Sequence, residues 1–109
     1  MGRFHLRPYH LRLFLSNRYT SAEVIERATG RVVARASTME RAAKRALADV
    51  GASTSDRVAS AHVGKLLAER AAANNVPAVH VPKTPGLGYG RARVGRLVDA
   101  LRAGGVGLV

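Results

Sequence analysis

The densest run of residues able to do chemistry is Lys83 to Arg93, Lys-Thr-Pro-Gly-Leu-Gly-Tyr-Gly-Arg-Ala-Arg. Its glycines let the backbone approach a ligand closely, its basic side chains suit phosphate, and Tyr89 could stack on a base or a sugar. A helix expected to start near Arg91 adds the unpaired N–H groups that attract phosphate. The plain alternative is a glycine-rich connection with Tyr89 packed on the domain edge. Gly86, Gly88 and Gly90 alternate after an apolar run, but the spacing differs from a dinucleotide loop. No later strand is available to carry a ribose-binding acid. His5, His10, His62, His80 and the seven carboxylates are scattered, without a recognisable pair, triad or ligand spacing. No enzyme activity, metal, cofactor or small-molecule substrate is therefore expected.

The charge balance points the same way. Eighteen Lys and Arg against seven Asp and Glu give a formal net charge of +11 on 109 residues, and all the basic residues but Lys44, Lys65 and Lys83 are arginine. Such an excess costs self-repulsion and suits an anionic partner, with nucleic acid first. No stretch offers the roughly 20 apolar residues of a membrane span, so no membrane partner is expected. Cysteine is absent, which excludes disulfides and thiolate metal sites.

The elements that must position these residues follow from periodicity. Residues 1–10 read as a basic arm, with Arg3 and Arg7 as phosphate contacts. Its Arg-rich, acid-poor character resembles an organellar targeting segment. Residues 11–109 read as one domain. Leu11, Leu13 and Leu15 alternate with Arg12 and Phe14, as in a half-buried strand. Ser16-Asn17-Arg18 breaks the run, Tyr19–Ile25 forms a second strand, and Ala28-Thr29-Gly30 suits a hairpin turn. In the third, Val32, Ala34 and Ala36 face one way and Val33, Arg35 and Ser37 the other. Arg12, Arg35 and Arg18 would then make the outer face basic.

Three helices are expected. Ser37 and Glu40 fit a capping box ahead of the stripe Met39, Ala42, Ala43, Ala46, Leu47 and Val50. Ser53 to Asp56 caps a second helix running to about Ala73, striped by Ala59, Val63, Leu66, Leu67 and Ala71. Gly64 permits its close packing on the sheet or on the first helix. Asn74-Asn75 ends it, and Val76–Val81 reads as a strand beside the hairpin. The third helix is striped by Val94, Leu97, Val98 and Leu101 and stops at Gly104-Gly105, with Val106–Val109 tucked under the sheet. The fold class is α/β, an α+β sandwich of order β-β-β-α-α-β-α. It has a three- to four-stranded mixed sheet with one face covered by about three helices.

With these residues placed, the chain resembles the universal large-subunit ribosomal protein family that binds 5S rRNA, number eighteen in the universal naming. Arg18 to Ile25 is similar to the family's Arg-His-Ile-Tyr-Ala-Gln-Val-Ile. Ala36-Ser37-Thr38 with Glu40 matches its Ala-Ser-Thr-x-Glu. Val63-Gly64-Lys65 and Ala68-Glu69-Arg70 match the second helix, and Arg93-Val94, Leu97, Asp99-Ala100 and Arg102-Ala103 the last one. The resemblance implies a non-catalytic component of the central protuberance, partnered by 5S rRNA, neighbouring large-subunit rRNA and proteins. The RNA contacts expected are Arg3, Arg7, Arg12, Arg18, Arg35, Lys83, Tyr89, Arg91 and Arg93. The location expected is the mitochondrial ribosome, with bacterial cytoplasm or chloroplast as alternatives. Gly90, Arg91 and Ala92 stand where the family has Tyr-His-Gly. That difference suits a diverged, plant organellar member acting in RNA binding or intron splicing, the alternative function.

Overall fold

A computed structural model describes residues 8–16, 18–51, 57–81 and 91–108. Strands β1 (Tyr9–Leu15), β2 (Thr20–Glu26) and β3 (Val32–Ser37) form an antiparallel sheet in the order β1-β2-β3. Helices α1 (Arg41–Asp49) and α2 (Arg57–Ala73) follow, then β4 (Ala78–Val79), α3 (Arg91–Ala103) and β5 (Gly107–Leu108). The expected order holds, with one strand added at the end. Instead of tucking under the sheet, the C-terminal segment pairs with β4 as a parallel ribbon. Two residues, one of them glycine, carry no alternation from which a strand could be read.

The ribbon joins the larger sheet through a parallel bridge between His10 and His80. Leu11 N–H donates to the His80 carbonyl and His80 N–H to the Tyr9 carbonyl, both at 2.9 Å. The helices before β4 and β5 end alike. Asn75 (φ 60°) and Gly105 (φ 99°) take the left-handed conformation that closes a helix by returning later N–H groups to its last carbonyls. Val76 N–H donates to Ala71 O at 2.9 Å and Val106 N–H to Leu101 O at 3.3 Å. Both valines are buried, so each helix end is anchored in the core just before its strand.

Leu11, Ala22, Val24, Ala34 and Ala36 are buried on the inner face of the sheet. They share one core with Val63, Leu67 and Ala71 of α2 and Leu97 and Leu101 of α3. The third strand departs from simple alternation. Val24 faces Ala34 but Ile25 faces Val32, so Val33 is an extra, bulged residue. Val33 therefore packs against the core and Val32 is exposed, the reverse of their expected sides.

Helix α2 lies against β2 and β3, while α3 packs mainly on α2. Gly64 serves this helix pair rather than the sheet or the first helix. A Cβ at Gly64 would run into the Leu97 carbonyl and come within 2.8 Å of the Ala100 Cβ, and one at Gly104 would strike Ala68. Helix α1 is peripheral. Only Ala43 and Leu47 of its stripe are buried, and Met39 and Val50 are exposed. The capping-box residues meet as expected, with Ser37 N–H donating to Glu40 Oε2 and Met39 N–H to Ser37 Oγ, both at 3.0 Å, but the helix starts about a turn later, at Arg41. The proposed cap at Ser53–Asp56 lies outside the described residues.

Candidate nucleic-acid interface

The residues between the inward-facing ones in β1, β2 and β3 form the outer face. The strand register sets them in rows. Arg12 lies opposite Glu23, which lies opposite Arg35, and Phe14 lies opposite Ser21, which lies opposite Ser37. The expected basic face therefore has an acid at its centre. Arg12 donates to Glu23 Oε1 from Nε at 3.0 Å and from a terminal nitrogen at 2.6 Å. Its guanidinium also sits 5.4 Å from the centre of the Phe14 ring, within cation–π range. The Arg12 side chain stays half exposed, while that of Glu23 is 12% exposed. Glu23 thus orients Arg12 and offsets part of its charge. Arg35 is exposed at the other end of the row.

Beyond β3, Arg70 of α2 grips Glu40. Its two terminal nitrogens each donate to a carboxylate oxygen at 2.7 Å, and one also donates to the Arg35 carbonyl at 2.7 Å. These hydrogen bonds hold the Glu40 carboxyl below its usual range, against burial, which pushes it up. Between this pair and the rows above lies an open groove of about 700 Å³, lined by Phe14, Tyr19, Ser21, Arg35 and Met39 among others. Phe14, Tyr19 and Met39 are exposed, so the groove offers apolar surfaces beside cations. Flat rings next to guanidinium groups can take up bases as well as phosphates.

The β1–β2 turn closes one end of this face. Arg18 is exposed there. Ser16 Oγ accepts from the N–H groups of Arg18 and Tyr19, each at 3.1 Å. The start of α3 meets this turn through Arg93, whose guanidinium donates to Ser16 O at 2.8 Å, Tyr19 O at 2.9 Å and Thr20 Oγ1 at 2.7 Å. Arg91 occupies the first position of α3. Arg12, Arg18, Arg35 and the Arg93 anchor thus belong to one face and its end. Arg3, Arg7, Lys83 and Tyr89 lie outside the described residues.

The residues that the sequence reading missed are Glu23, Glu40 as a partner of Arg70, and Thr20. Glu23 was legible in principle, because counting outward from the turn puts it opposite Arg12. Arg70 lies 30 residues from Glu40, and no local pattern links them. Among the described residues no group of three His, Cys, Asp or Glu side chains could hold a metal ion, and no helix is long and apolar enough to cross a membrane.

The model of a family described as ribosomal L18 of archaea, bacteria, mitochondria and chloroplasts matches residues 3–108. Similar chains include the large ribosomal subunit protein uL18 of Gluconobacter oxydans, 36% identical over 96 residues, which covers 88% of this chain and 75% of the relative. The protein of the same name from Azoarcus sp. is 36% identical over 93% of this chain and 81% of its own. That from Methylorubrum populi is 38% identical over 88% and 75%.

Proposed function

Since the chain belongs to the ribosomal L18 family, a family of non-enzymatic large-subunit proteins, we propose that it binds 5S rRNA in the central protuberance of a bacterial-type ribosome. The observation that carries this reading is the outer face of β1–β3. It presents Arg12, Arg35, Phe14 and Tyr19 on a chain of net charge +11. Arg12, Arg18 and Arg35 contact phosphates from this face. Arg91 adds a contact at the N-terminus of α3, and Arg3, Arg7, Lys83 and Tyr89 add others from the arm and loop. Tyr19 and Phe14 supply stacking surface. Arg93, with three acceptors inside the protein, supports the surface from below.

The relatives named above are bacterial, which supports a bacterial-type large subunit, in a bacterium, a mitochondrion or a chloroplast. Titration of the full chain with transcribed 5S rRNA at several salt concentrations tests the binding. Each neutralised phosphate releases counterion, so six or more contacts imply a loss of roughly a thousandfold in affinity between about 50 and 200 mM salt. Affinity that hardly changes over that range contradicts the electrostatic reading.

A further inference from the structure

We infer that Arg93 is a positioning residue, which reaches from α3 to hold the β1–β2 turn so that Arg18 and Tyr19 are presented to RNA at the end of the outer face; the inference rests on the RNA-binding reading above. The geometry of the turn is built around this contact. Ser16 Oγ takes the N–H groups of Arg18 and Tyr19, which leaves the Ser16 carbonyl to accept from Arg93 at 2.8 Å. The Tyr19 carbonyl, already accepting from Ser16 N–H at 3.0 Å, takes a second bond from Arg93 at 2.9 Å. The third acceptor, Thr20 Oγ1 at 2.7 Å, belongs to a fully buried residue. Thr20 is itself tied to β3's end: its N–H donates to Thr38 Oγ1 at 3.0 Å, and its carbonyl accepts from Thr38 N–H at 2.9 Å. One guanidinium therefore joins α3, the β1–β2 turn and the polar pair that links β2 to the segment after β3. Arg93 Nε is buried, so the group is set into the protein, while Tyr19, whose carbonyl it holds, lines the groove.

Three acceptors around one planar fork require arginine. A lysine keeps the charge but cannot reproduce the fork. Arg93→Lys therefore separates positioning from a direct phosphate contact, and it also serves if Arg93→Ala fails to fold. In the full chain without RNA, Arg93→Lys is expected to speed hydrogen exchange at the amides of Arg18, Tyr19 and Thr20 by about tenfold, the scale of losing a hydrogen bond to a charged group. Core amides of α2 should keep their protection. Against transcribed 5S rRNA, Arg93→Lys should weaken binding by about tenfold, and should add little further loss in a Tyr19→Ala background, because coupled residues are not additive.

Wild-type affinity in Arg93→Lys, fully additive losses, or unchanged exchange at the turn would each overturn the inference. Failure of the wild-type chain to bind 5S rRNA would instead remove the RNA reading. The exchange data would then still decide whether Arg93 holds the turn.

Discussion

Arg70 shows how one side chain shapes the edge of the sheet. It satisfies both oxygens of Glu40 and the carbonyl of Arg35, an outward-facing group on an edge strand that would otherwise invite pairing. Both side chains of the ion pair are more than a quarter exposed, so solvent screens much of the attraction. Arg70→Ala should still lower stability by about 1 kcal/mol, because charged hydrogen bonds are lost as well; the midpoint of urea unfolding measures it. The pH dependence has a definite sign. The Glu40 carboxyl is held below its usual range, first by the hydrogen bonds from Arg70. Its stabilising share is present above the ordinary glutamate pKa of about 4.3 and is lost as pH falls through the depressed folded value. The gap between wild type and Arg70→Ala should therefore shrink on acidification below about pH 4. A gap independent of pH would count against the pairing. His10 acts in the same direction at higher pH. Burial, then the positive field of Arg27 and Arg12, lowers its pKa from 6.5. Acidification below that value should cost stability through His10 before Glu40 contributes. At this scale the sequence revealed which side of the sheet Arg12 and Arg35 occupy, because alternation alone decides it. It did not reveal the partners of Arg70 and Arg93, which lie 30 and more than 70 residues away.

At the scale of elements, the α2–α3 contact is the joint that admits least change. The backbone of α3 passes so close to Gly64 that any β-carbon there meets the Leu97 carbonyl, a backbone atom that cannot rotate away. Gly64→Ala should destabilise the chain by about 1–3 kcal/mol, the usual cost of overpacking, although alanine is the better helix former by about 1 kcal/mol. A thermal midpoint equal to or above wild type would show that the helices separate freely. Gly95, in α3 but with open space around its missing Cβ, is the control, where alanine should raise stability. The helices themselves were legible from their apolar spacing. Their mutual packing was not, because a stripe shows which face is buried without naming its neighbour. Helix α1 shows the limit of periodicity: its stripe is regular, but nine residues rich in alanine bury only Ala43 and Leu47. The bulge at Val33 likewise has no local signature, and it exchanges the sides of two adjacent valines.

At the scale of the molecule, the core is shared by the inner sheet face, α2 and α3, which leaves the outer face of β1–β3 outside it. The element order and this division were legible, since a strand with arginine on one side and leucine on the other can be buried on one side only. The compensation within the outer face was not. Glu23 offsets Arg12 and Glu40 engages Arg70, so the face is less positive than its arginines suggest. The remaining charge is carried by Arg3 and Arg7 of the sequence, the turn, the exposed Arg41, Lys44 and Arg45 of α1 and the residues at the start of α3. RNA binding should accordingly depend on many contacts rather than one. The measurement that bears most directly on this account is crosslinking of the protein to RNA in its own cells, with sequencing of the attached fragments. Reads dominated by 5S rRNA, in fractions that sediment with large ribosomal subunits, are the predicted result. Enrichment of intron-containing transcripts with little 5S rRNA would contradict it, and would mean that the same scaffold serves RNA splicing.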